Sequence, residues 1–231
     1  MRERDVVTLP LMLFAAGFGT RMGALTADRP KPMISVAGRP LIDHALDVAA
    51  DAGVTRTVVN LHYRPEMIEA HLAQRPVITI REDPDILETG GGLRNALPLL
   101  GKSPVFTLNS DAVWRGPNPL TLLAQAWDPT RMDALLMCVP VAQTRGYDGT
   151  GDFTVDASGH ITRGPGLVYS GAQITKTDRL QTVATEAFSL NVIWTAMQAD
   201  HRLCGLTYPG TWCDVGHPRG ITLAEEMLAD V

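Results

Sequence analysis

Residues 11–22 read LMLFAAGFGTRM, and residues 29–36 read RPKPMISV. The apolar run from Leu9 to Ala15 is typical of a buried strand, and it breaks at Gly17 and Gly19. Glycines let the backbone turn tightly here and present bare N–H groups to an anion. Arg21 and Lys31 add two positive charges beside the turn. The segment therefore predicts a strand followed by a phosphate-binding loop.

Length and composition indicate one globular domain over residues 1–231. A chain of this size buries roughly 70% of the surface that its unfolded form exposes, so one sizeable core is expected. Hydrophobic residues make up 45% of the chain and charged residues 19%, which disfavours a disordered or fibrous protein. The net charge of -5 argues against a nucleic-acid partner, although a small basic pocket remains compatible with it.

Cysteine usage and the N-terminal sequence predict a cytoplasmic protein without a membrane partner. Cys138, Cys204 and Cys213 are odd in number and lack metal-ligand spacing, so reduced thiols are expected. The acidic residues within Met1–Asp5 precede an apolar run of only about nine residues, which is too short to cross a bilayer. No export signal is recognised there.

Apolar periodicity alternates between strand and helix along the chain. Strands are predicted over residues 9–15, 54–60, 77–80, 105–108, 134–139 and 203–207, and helices over residues 40–52, 65–74, 91–99, 119–127, 185–199 and 218–228. The alternation predicts an α/β protein, a Rossmann-like three-layer α/β/α fold with a mainly parallel mixed sheet. Within residues 146–176, short alternating runs at Phe153–Val155 and Leu167–Ile174 predict a small antiparallel insertion appended to that sheet.

The spacing of the first glycines disfavours a dinucleotide cofactor. The dinucleotide fingerprint requires a third glycine three residues after the second. Met22 stands at that position, and Gly23 comes one residue late. A nicotinamide or flavin site is therefore not expected.

A set of motifs spread over the whole chain indicates a family. These motifs are AAGFGTRM at 15–22, PKPM at 30–33, ETGGG at 88–92, NSD at 109–111, GDF at 151–153, YSG at 169–171 and WCDVG at 212–216. Together they resemble the signature of the sugar-nucleotide pyrophosphorylases, nucleotidyltransferases that join a nucleoside triphosphate to a sugar 1-phosphate. They look most like the branch that uses UTP and N-acetylmuramic acid 1-phosphate in cell-wall (peptidoglycan) recycling. The resemblance implies the nucleotide-diphospho-sugar transferase fold, with a nucleotide-binding half (1–140) and a sugar-binding half (141–231).

The same resemblance implies a role for each motif. Arg21 and Lys31 would hold the triphosphate and stabilise the departing pyrophosphate, and no nucleophilic side chain is needed. Asp111, after the strand ending at Leu108, and Asp214, in the turn after a later strand, would bind Mg²⁺. The resemblance also implies that Asp111 is catalytic, together with Arg21 and Lys31. The residues implied to bind substrate are Ala15, Ala16, Gly17, Gly19, Thr20, Glu88, Thr89, Gly90, Gly91, Asn109, Asp152, Tyr169, Gly171, Glu186 and Asn191.

One departure from the family pattern bears on the substrate. Many glucose 1-phosphate enzymes hold the sugar phosphate with a Glu-Lys-Pro segment, which is missing here; the nearest basic residue is Arg163. This disfavours glucose and mildly favours the muramic acid branch. A hexose 1-phosphate or phosphocholine nucleotidyltransferase and a catalytically silent regulatory protein that binds sugar nucleotides stay open. The Gly90–Gly92 run could also be a simple hinge, and the later polar residues could merely occupy turns and strand edges.

Overall fold

The computed structural model describes residues 9–101 and 103–229, so Met1–Asp5 lies outside the described residues. The strands are β1 (Leu11–Phe14), β2 (Ser35–Val36), β3 (Arg39–Pro40), β4 (Thr57–Leu61), β5 (Ile78–Arg81), β6 (Val105–Asn109), β7 (Ala112–Arg115), β8 (Ala134–Pro140), β9 (Thr144–Arg145), β10 (Phe153–Val155), β11 (Ile161–Arg163), β12 (Leu167–Thr175), β13 (Leu203–Thr207) and β14 (Thr211–Asp214). The helices are α1 (Leu41–Asp51), α2 (Pro65–Leu72), α3 (Glu88–Leu100), α4 (Pro119–Ala126), α5 (Asn191–Ala199) and α6 (Pro218–Ala229). Short 3-10 segments occupy Thr20–Thr26, Lys31–Met33, Val141–Gln143 and Asp178–Thr182.

The main sheet confirms the predicted α/β fold. Its central strands run in the order β5-β4-β1-β6-β12-β8-β13, and the β10-β11 hairpin continues from the start of β12. All neighbours in this order pair in parallel except β12, which is antiparallel to both β6 and β8. After β1 the chain builds outward through β4 and β5, and then crosses to β6 on the other side of β1. The carboxyl ends of β1 and β6 therefore flank a topological switch point, where α/β proteins commonly bind ligands.

Strand alternation divides the core between the two faces of the sheet. In β1, Leu11 and Leu13 pack with apolar residues of α1, α2 and α4, whereas Met12 packs with those of α3 and α5. Successive side chains of a strand point to opposite faces, so a fully apolar strand requires cover on both. The helices on each face supply that cover and complete the three layers.

A second, three-stranded sheet lies beside the carboxyl end of β6. Its order is β7-β14-β9, with β14 antiparallel to β7 and parallel to β9. A separate apolar cluster, which includes Met22, Leu41, Cys213 and Met227, packs α6 against this sheet and against residues 22–41. The C-terminal helix thus fixes the small sheet next to the glycine-rich loop.

The predicted insertion is only partly an appendage. β10, predicted as Phe153–Val155, does lie at the side of the sheet, where it forms an antiparallel hairpin with β11, a strand that was not predicted. The Leu167–Ile174 strand, however, lies in the middle of the sheet, between β6 and β8. Its pairing with β8 shifts register between Tyr169 and Gln173.

Several predicted boundaries were wrong for identifiable reasons. The helix expected from Thr185 begins only at Asn191, because the preceding segment is held against α3 by hydrogen bonds to its first turn. The helix expected from Gly91 begins at Glu88, so the glycine run lies inside α3. Asp214, expected in a turn, is the last residue of β14 and pairs with Ala112.

Across residues 9–101 and 103–229, none of the helices combines the length and the apolar content that crossing a bilayer requires. Cys138, Cys204 and Cys213 are buried free thiols.

Candidate active site

A cleft of about 300 Å³ opens at the carboxyl ends of β1 and β6. Eleven of the residues predicted for the site line this cleft: Ala15, Ala16, Gly17, Gly19, Thr20, Arg21, Lys31, Glu88, Thr89, Asn109 and Asp111. It is also lined by residues not predicted individually: Phe14, Pro32, Asn60, Glu82, Ile86, Ser110 and Gly216. The sequence motifs from residues 15–31, 88–89 and 109–111 therefore converge on one site.

The two glycines of the loop after β1 have different structural requirements. Gly19 adopts φ 65°, and a Cβ atom there would lie 2.8 Å from Cβ of Lys31. Gly17 is exposed, and a Cβ atom there would meet no other residue of the described chain within 4 Å. Gly19 is thus required by the fold, because it allows Lys31 to pack against the loop, whereas Gly17 is left open toward the cleft.

Two cation–carboxylate pairs lie at this end of the cleft. Lys31 Nζ donates a hydrogen bond to Asp111 Oδ2 at 2.7 Å, and the Lys31 side chain is only 10% exposed. The Arg21 side chain is 67% exposed, and its Nη1 lies 3.9 Å from Asp214 Oδ2. A Cβ atom on Gly216 would lie 2.9 Å from Arg21 Nη1 and 2.7 Å from that same carboxylate oxygen. The absence of a side chain at Gly216 therefore gives Arg21 access to Asp214.

The structure brings the two predicted metal aspartates together. Val215 N donates to the backbone carbonyl of Asp111 at 2.9 Å, and the next residue, Ala112, is the register partner of Asp214. Burial raises the pKa of Asp214 to about 6, and the negative charge of Asp111 adds to this rise; Lys31 and other nearby cationic groups oppose it. The raised pKa reflects two carboxylates that share a partly dehydrated space.

The glycines at the start of α3 contact another part of the protein, not the cleft. Gly90 N and Gly91 N both donate to the carbonyl of Phe188, at 2.8 and 3.0 Å. A Cβ atom on Gly90 would lie 2.4 Å from the Phe188 ring, and one on Gly91 would lie 2.4 Å from the carbonyl oxygen of Glu186. These glycines allow residues 186–188 to cross the first turn of α3 closely.

Glu88 and Thr89 are the residues of that motif which face the cleft. Glu88 has φ 58°, a left-handed conformation that is uncommon for a residue with a side chain. Thr89 Oγ1 accepts a hydrogen bond from Leu190 N at 3.0 Å. The segment that the sequence predicts to bind the base is therefore the entry to α3, and residues 186–190 hydrogen-bond to it.

The predicted sugar-side residues form a second group, outside the lining of the cleft. Asp152 Oδ2 accepts a hydrogen bond from Tyr169 N at 2.9 Å, and the Tyr169 ring packs edge-on against Trp194 at 4.9 Å between centroids. Asn191 Oδ1 accepts a hydrogen bond from Arg163, whose guanidinium lies 4.4 Å from the centre of the Phe153 ring.

Gly171 and Glu186 differ from the rest of that group. A Cβ atom on Gly171, which has φ 89°, would lie 2.8 Å from the Asn109 side chain, so this glycine touches the cleft lining from behind. Glu186 is exposed, and its backbone carbonyl accepts a hydrogen bond from Arg94 at 3.0 Å. Gly171 thus connects the second group to the cleft, whereas Glu186 contributes its backbone to the 186–190 segment.

Asn60 and Glu82 are buried residues of the cleft that the sequence analysis missed. Asn60 is in β4, and Glu82 directly follows β5, so both stand at the carboxyl ends of parallel strands. Polar residues in that position face the ligand crevice of an α/β sheet. Asn60 lies inside an apolar run and Glu82 in a charged one, and neither matches a recognised motif; their place at strand ends was the available signal.

Known proteins resemble this chain in both sequence and structure. The MobA-like NTP transferase domain matches residues 11–186. The chain is 41% identical over 95% of its length to N-acetylmuramate alpha-1-phosphate uridylyltransferase from Caulobacter vibrioides, covering 96% of that protein. It is 31% identical over 89% of its length to the protein of the same name from Neisseria meningitidis, covering 92% of it. A crystal structure of a putative glucose-1-phosphate thymidylyltransferase from Bacillus anthracis, in complex with a sucrose, shares the fold at 14% identity, with a TM-score of 0.80 over 96% of both chains.

The domain match extends from β1 through β12 and into the segment that holds α3, and it contains the glycine-rich loop, Lys31 and Asp111. The two relatives extend the similarity over 95% and 89% of the chain. This chain therefore belongs to the MobA-like NTP transferase family of nucleotidyltransferases.

Proposed function

We propose that this protein transfers a uridylyl group from UTP to N-acetylmuramic acid 1-phosphate, yielding the UDP-sugar and pyrophosphate. The observation that carries the proposal is the placement of Lys31, Arg21 and Asp111 in the lining of a single cleft, with Asp214 directly behind Arg21 and Asp111. The choice of UTP and of the muramic acid phosphate rests on the 41% identity to the Caulobacter enzyme of that activity.

The cationic residues suit the phosphate end of a nucleotide. Lys31 is nearly buried, and its ammonium is fixed by Asp111, so its charge is available without further ordering of the side chain. Arg21 is exposed and only loosely paired with Asp214, which leaves its guanidinium donors available to an incoming phosphate. Lys31 thus acts as a fixed charge and Arg21 as an adaptable one.

The reaction requires no protein nucleophile. A phosphate oxygen of the sugar 1-phosphate forms a bond to the α-phosphorus of the nucleotide, and the bond from that phosphorus to the oxygen bridging to the β-phosphate breaks. The electron pair of the broken bond leaves with pyrophosphate. Lys31 and Arg21 stabilise the negative charge that develops on this leaving group.

Asp111 and Asp214 are the residues that would hold a divalent cation. Their oxygens are the ligands that Mg²⁺ prefers, and the raised pKa of Asp214 supports a site at which a cation would relieve carboxylate repulsion. Among residues 9–101 and 103–229, no three His, Cys, Asp or Glu side chains are arranged to hold a metal, so phosphate oxygens or water would complete the coordination. When bound, Mg²⁺ offsets phosphate charge and orients the two reactants.

The nucleoside and the sugar are assigned to two different groups of residues. In the nucleotide-binding half (1–140), Glu88 and Thr89 lie on the side where the base would enter. In the sugar-binding half (141–231), the group around Asp152, Tyr169 and Asn191 is assigned to the sugar, and Arg163, which donates a hydrogen bond to Asn191, is the cation assigned to the anionic groups of the sugar. The buried reduced thiols fit a cytoplasmic location for this activity.

A substrate panel tests the proposal. UTP, CTP, GTP, ATP and dTTP are each combined with N-acetylmuramic acid 1-phosphate, glucose 1-phosphate, mannose 1-phosphate and phosphocholine, with and without Mg²⁺, and pyrophosphate release is measured. We expect the highest kcat/KM with UTP and N-acetylmuramic acid 1-phosphate, and only with Mg²⁺ present. A different preferred pair would replace the substrate assignment, and no release with any pair would favour a regulatory protein.

A further inference from the structure

A buried chain of hydrogen bonds joins the phosphate side of the cleft to its base side. Ala15 N donates to Asn60 Oδ1 at 2.9 Å, and Asn60 Nδ2 donates to Glu82 Oε1 at 2.7 Å. The second carboxylate oxygen, Glu82 Oε2, accepts a hydrogen bond from Leu87 N at 2.8 Å. The chain crosses from β1 through β4 to the loop after β5, and its two side chains line the cleft.

Both ends of this chain lie directly before functional segments. Ala15 precedes the loop that carries Gly17, Gly19 and Arg21, and Leu87 precedes Glu88, whose left-handed backbone turns the chain into α3. The amides of Ala15 and Leu87 are held by hydrogen bonds, so the positions at which the two loops begin are fixed. The distance between these two positions is then set by Asn60 and Glu82 rather than by either loop.

The pair is tightly enclosed, so it cannot relax when altered. Asn60 is 3% and Glu82 is 1% exposed. A Cβ atom on Gly92 would lie 2.5 Å from Glu82 Oε1 and 3.0 Å from Asn60 Nδ2. Helix α3 therefore covers Asn60 and Glu82 at Gly92, a position without a side chain. When two donors face each other in a buried pair of this kind, the folded protein is destabilised and the geometry of the pair is lost.

We propose that Asn60 and Glu82 are positioning residues that hold the phosphate loop and the base loop at the spacing of a nucleoside triphosphate. They act through Ala15 and Leu87 and take no part in the chemical step. This inference rests on the proposed function, because it concerns the nucleotide of that reaction.

The order of donors and acceptors in these three hydrogen bonds suggests a decisive pair of substitutions at residues 60 and 82. Glu82 accepts two hydrogen bonds, so Glu82→Gln places an amide N–H against either Asn60 Nδ2 or Leu87 N. Asn60→Asp places a carboxylate oxygen against Glu82 Oε1. In the double variant, Asp at 60 accepts from Ala15 N and from the new amide at 82, whose oxygen accepts from Leu87 N. All three hydrogen bonds are thereby restored, and the negative charge has moved by one side chain.

The experiment measures UTP affinity by calorimetry, KM for each substrate by pyrophosphate release, and thermal stability, all on the full chain. We expect each single variant to weaken UTP binding about tenfold or more, with KM for the sugar phosphate changed by less than about threefold at saturating UTP. The double variant should return to within about threefold of the wild type. If one single variant does not fold, the other and the double variant form the same comparison.

A control separates positioning from general stability. Asp133 directly precedes β8, next to the edge strand β13 and on the far side of the sheet from β4 and β5, and it binds Lys176, Arg179 and Arg202. Asp133→Asn should lower the thermal midpoint and leave UTP affinity unchanged. Single variants that bind UTP as the wild type does, or a double variant no better than the weaker single, would overturn the inference. A wild-type protein that binds no nucleotide would instead refute the proposed function itself.

Discussion

Asp111 and Asp214 lie one register step apart across the β7–β14 pair, although 102 residues separate them in sequence. The backbone hydrogen bond from Val215 N to Asp111 O fixes this relationship independently of either side chain. Their carboxylates are therefore held together by the small second sheet, and substitution of one side chain should leave the backbone of the site intact.

Asp111→Asn should lower kcat by about two to four orders of magnitude, because the site loses a carboxylate that orients Lys31 and supplies a metal ligand. Pyrophosphate release with UTP measures the loss, and the thermal midpoint reports on the fold. Asp28→Asn, at an exposed carboxylate paired with Arg29, is the control and should keep full activity. Mg²⁺-dependent turnover at the wild-type rate in Asp111→Asn would remove this residue from the mechanism.

Gly19→Ala and Gly17→Ala should have opposite profiles. Gly19→Ala forces a side chain into a left-handed position against Lys31, so it should destabilise the protein by about 1–3 kcal/mol and reduce activity. Gly17→Ala meets no neighbour and should leave the free protein as stable as the wild type, or slightly more so.

Denaturant unfolding and UTP binding together test this pair. We expect Gly17→Ala to weaken UTP binding without loss of stability, since its side chain would project toward the triphosphate. Equal stability of the two variants would contradict the steric role assigned to Gly19.

Arg163→Met should raise KM for the sugar phosphate about tenfold while KM for UTP stays within about twofold, because a charge-assisted contact to the sugar substrate is lost. Methionine keeps much of the apolar stem that packs on Phe153. Asn191→Ala is a useful companion, since it frees the guanidinium without removing its charge. Parallel rises in both KM values would argue against a sugar-specific role for Arg163.

The Asp133 cluster should give the protein an acid-dependent stability. Burial alone would raise the pKa of Asp133, but hydrogen bonds from Arg202, Lys176 and Arg179 outweigh it and lower the pKa to about 2. A carboxylate with a lowered pKa in the folded state stabilises at pH values above its unfolded pKa of about 3.9, and this contribution is lost as the pH falls toward 2.

Urea unfolding of the wild type and Asp133→Asn between pH 7 and pH 2.5 measures this effect. The variant should be less stable by roughly 2–3 kcal/mol down to about pH 4.5. The difference should then shrink as the pH falls. A difference that stays constant to pH 2.5 would show that charge on Asp133 is not its source.

The sequence predicted the layered fold, and it also singled out the glycine loop, Lys31 and Asp111 that line the cleft, because both depend on local patterns. Strand and helix periods are properties of neighbouring residues, and the glycine loop with Lys31 and Asp111 belongs to motifs that can be read directly. Asn60 and Glu82 were missed because their importance arises only where β4 and β5 end side by side. Gly90 and Gly91 were predicted to bind the nucleotide. Their contact with Phe188 could not be read from the sequence, because almost a hundred residues lie between them.

The antiparallel strand β12 has a consequence for the assembly of the protein. Because β12 pairs with β6 on one side and with β8 on the other, both of those strands present unpaired backbone groups until residues 167–175 have been synthesised. A fragment ending near residue 140 would carry the glycine-rich loop, Lys31 and Asp111, yet it would leave β6 and β8 without their shared partner β12 and would lack Asp214. Residues 1–140 are therefore not expected to fold independently, and a fragment limited to them should aggregate rather than bind UTP.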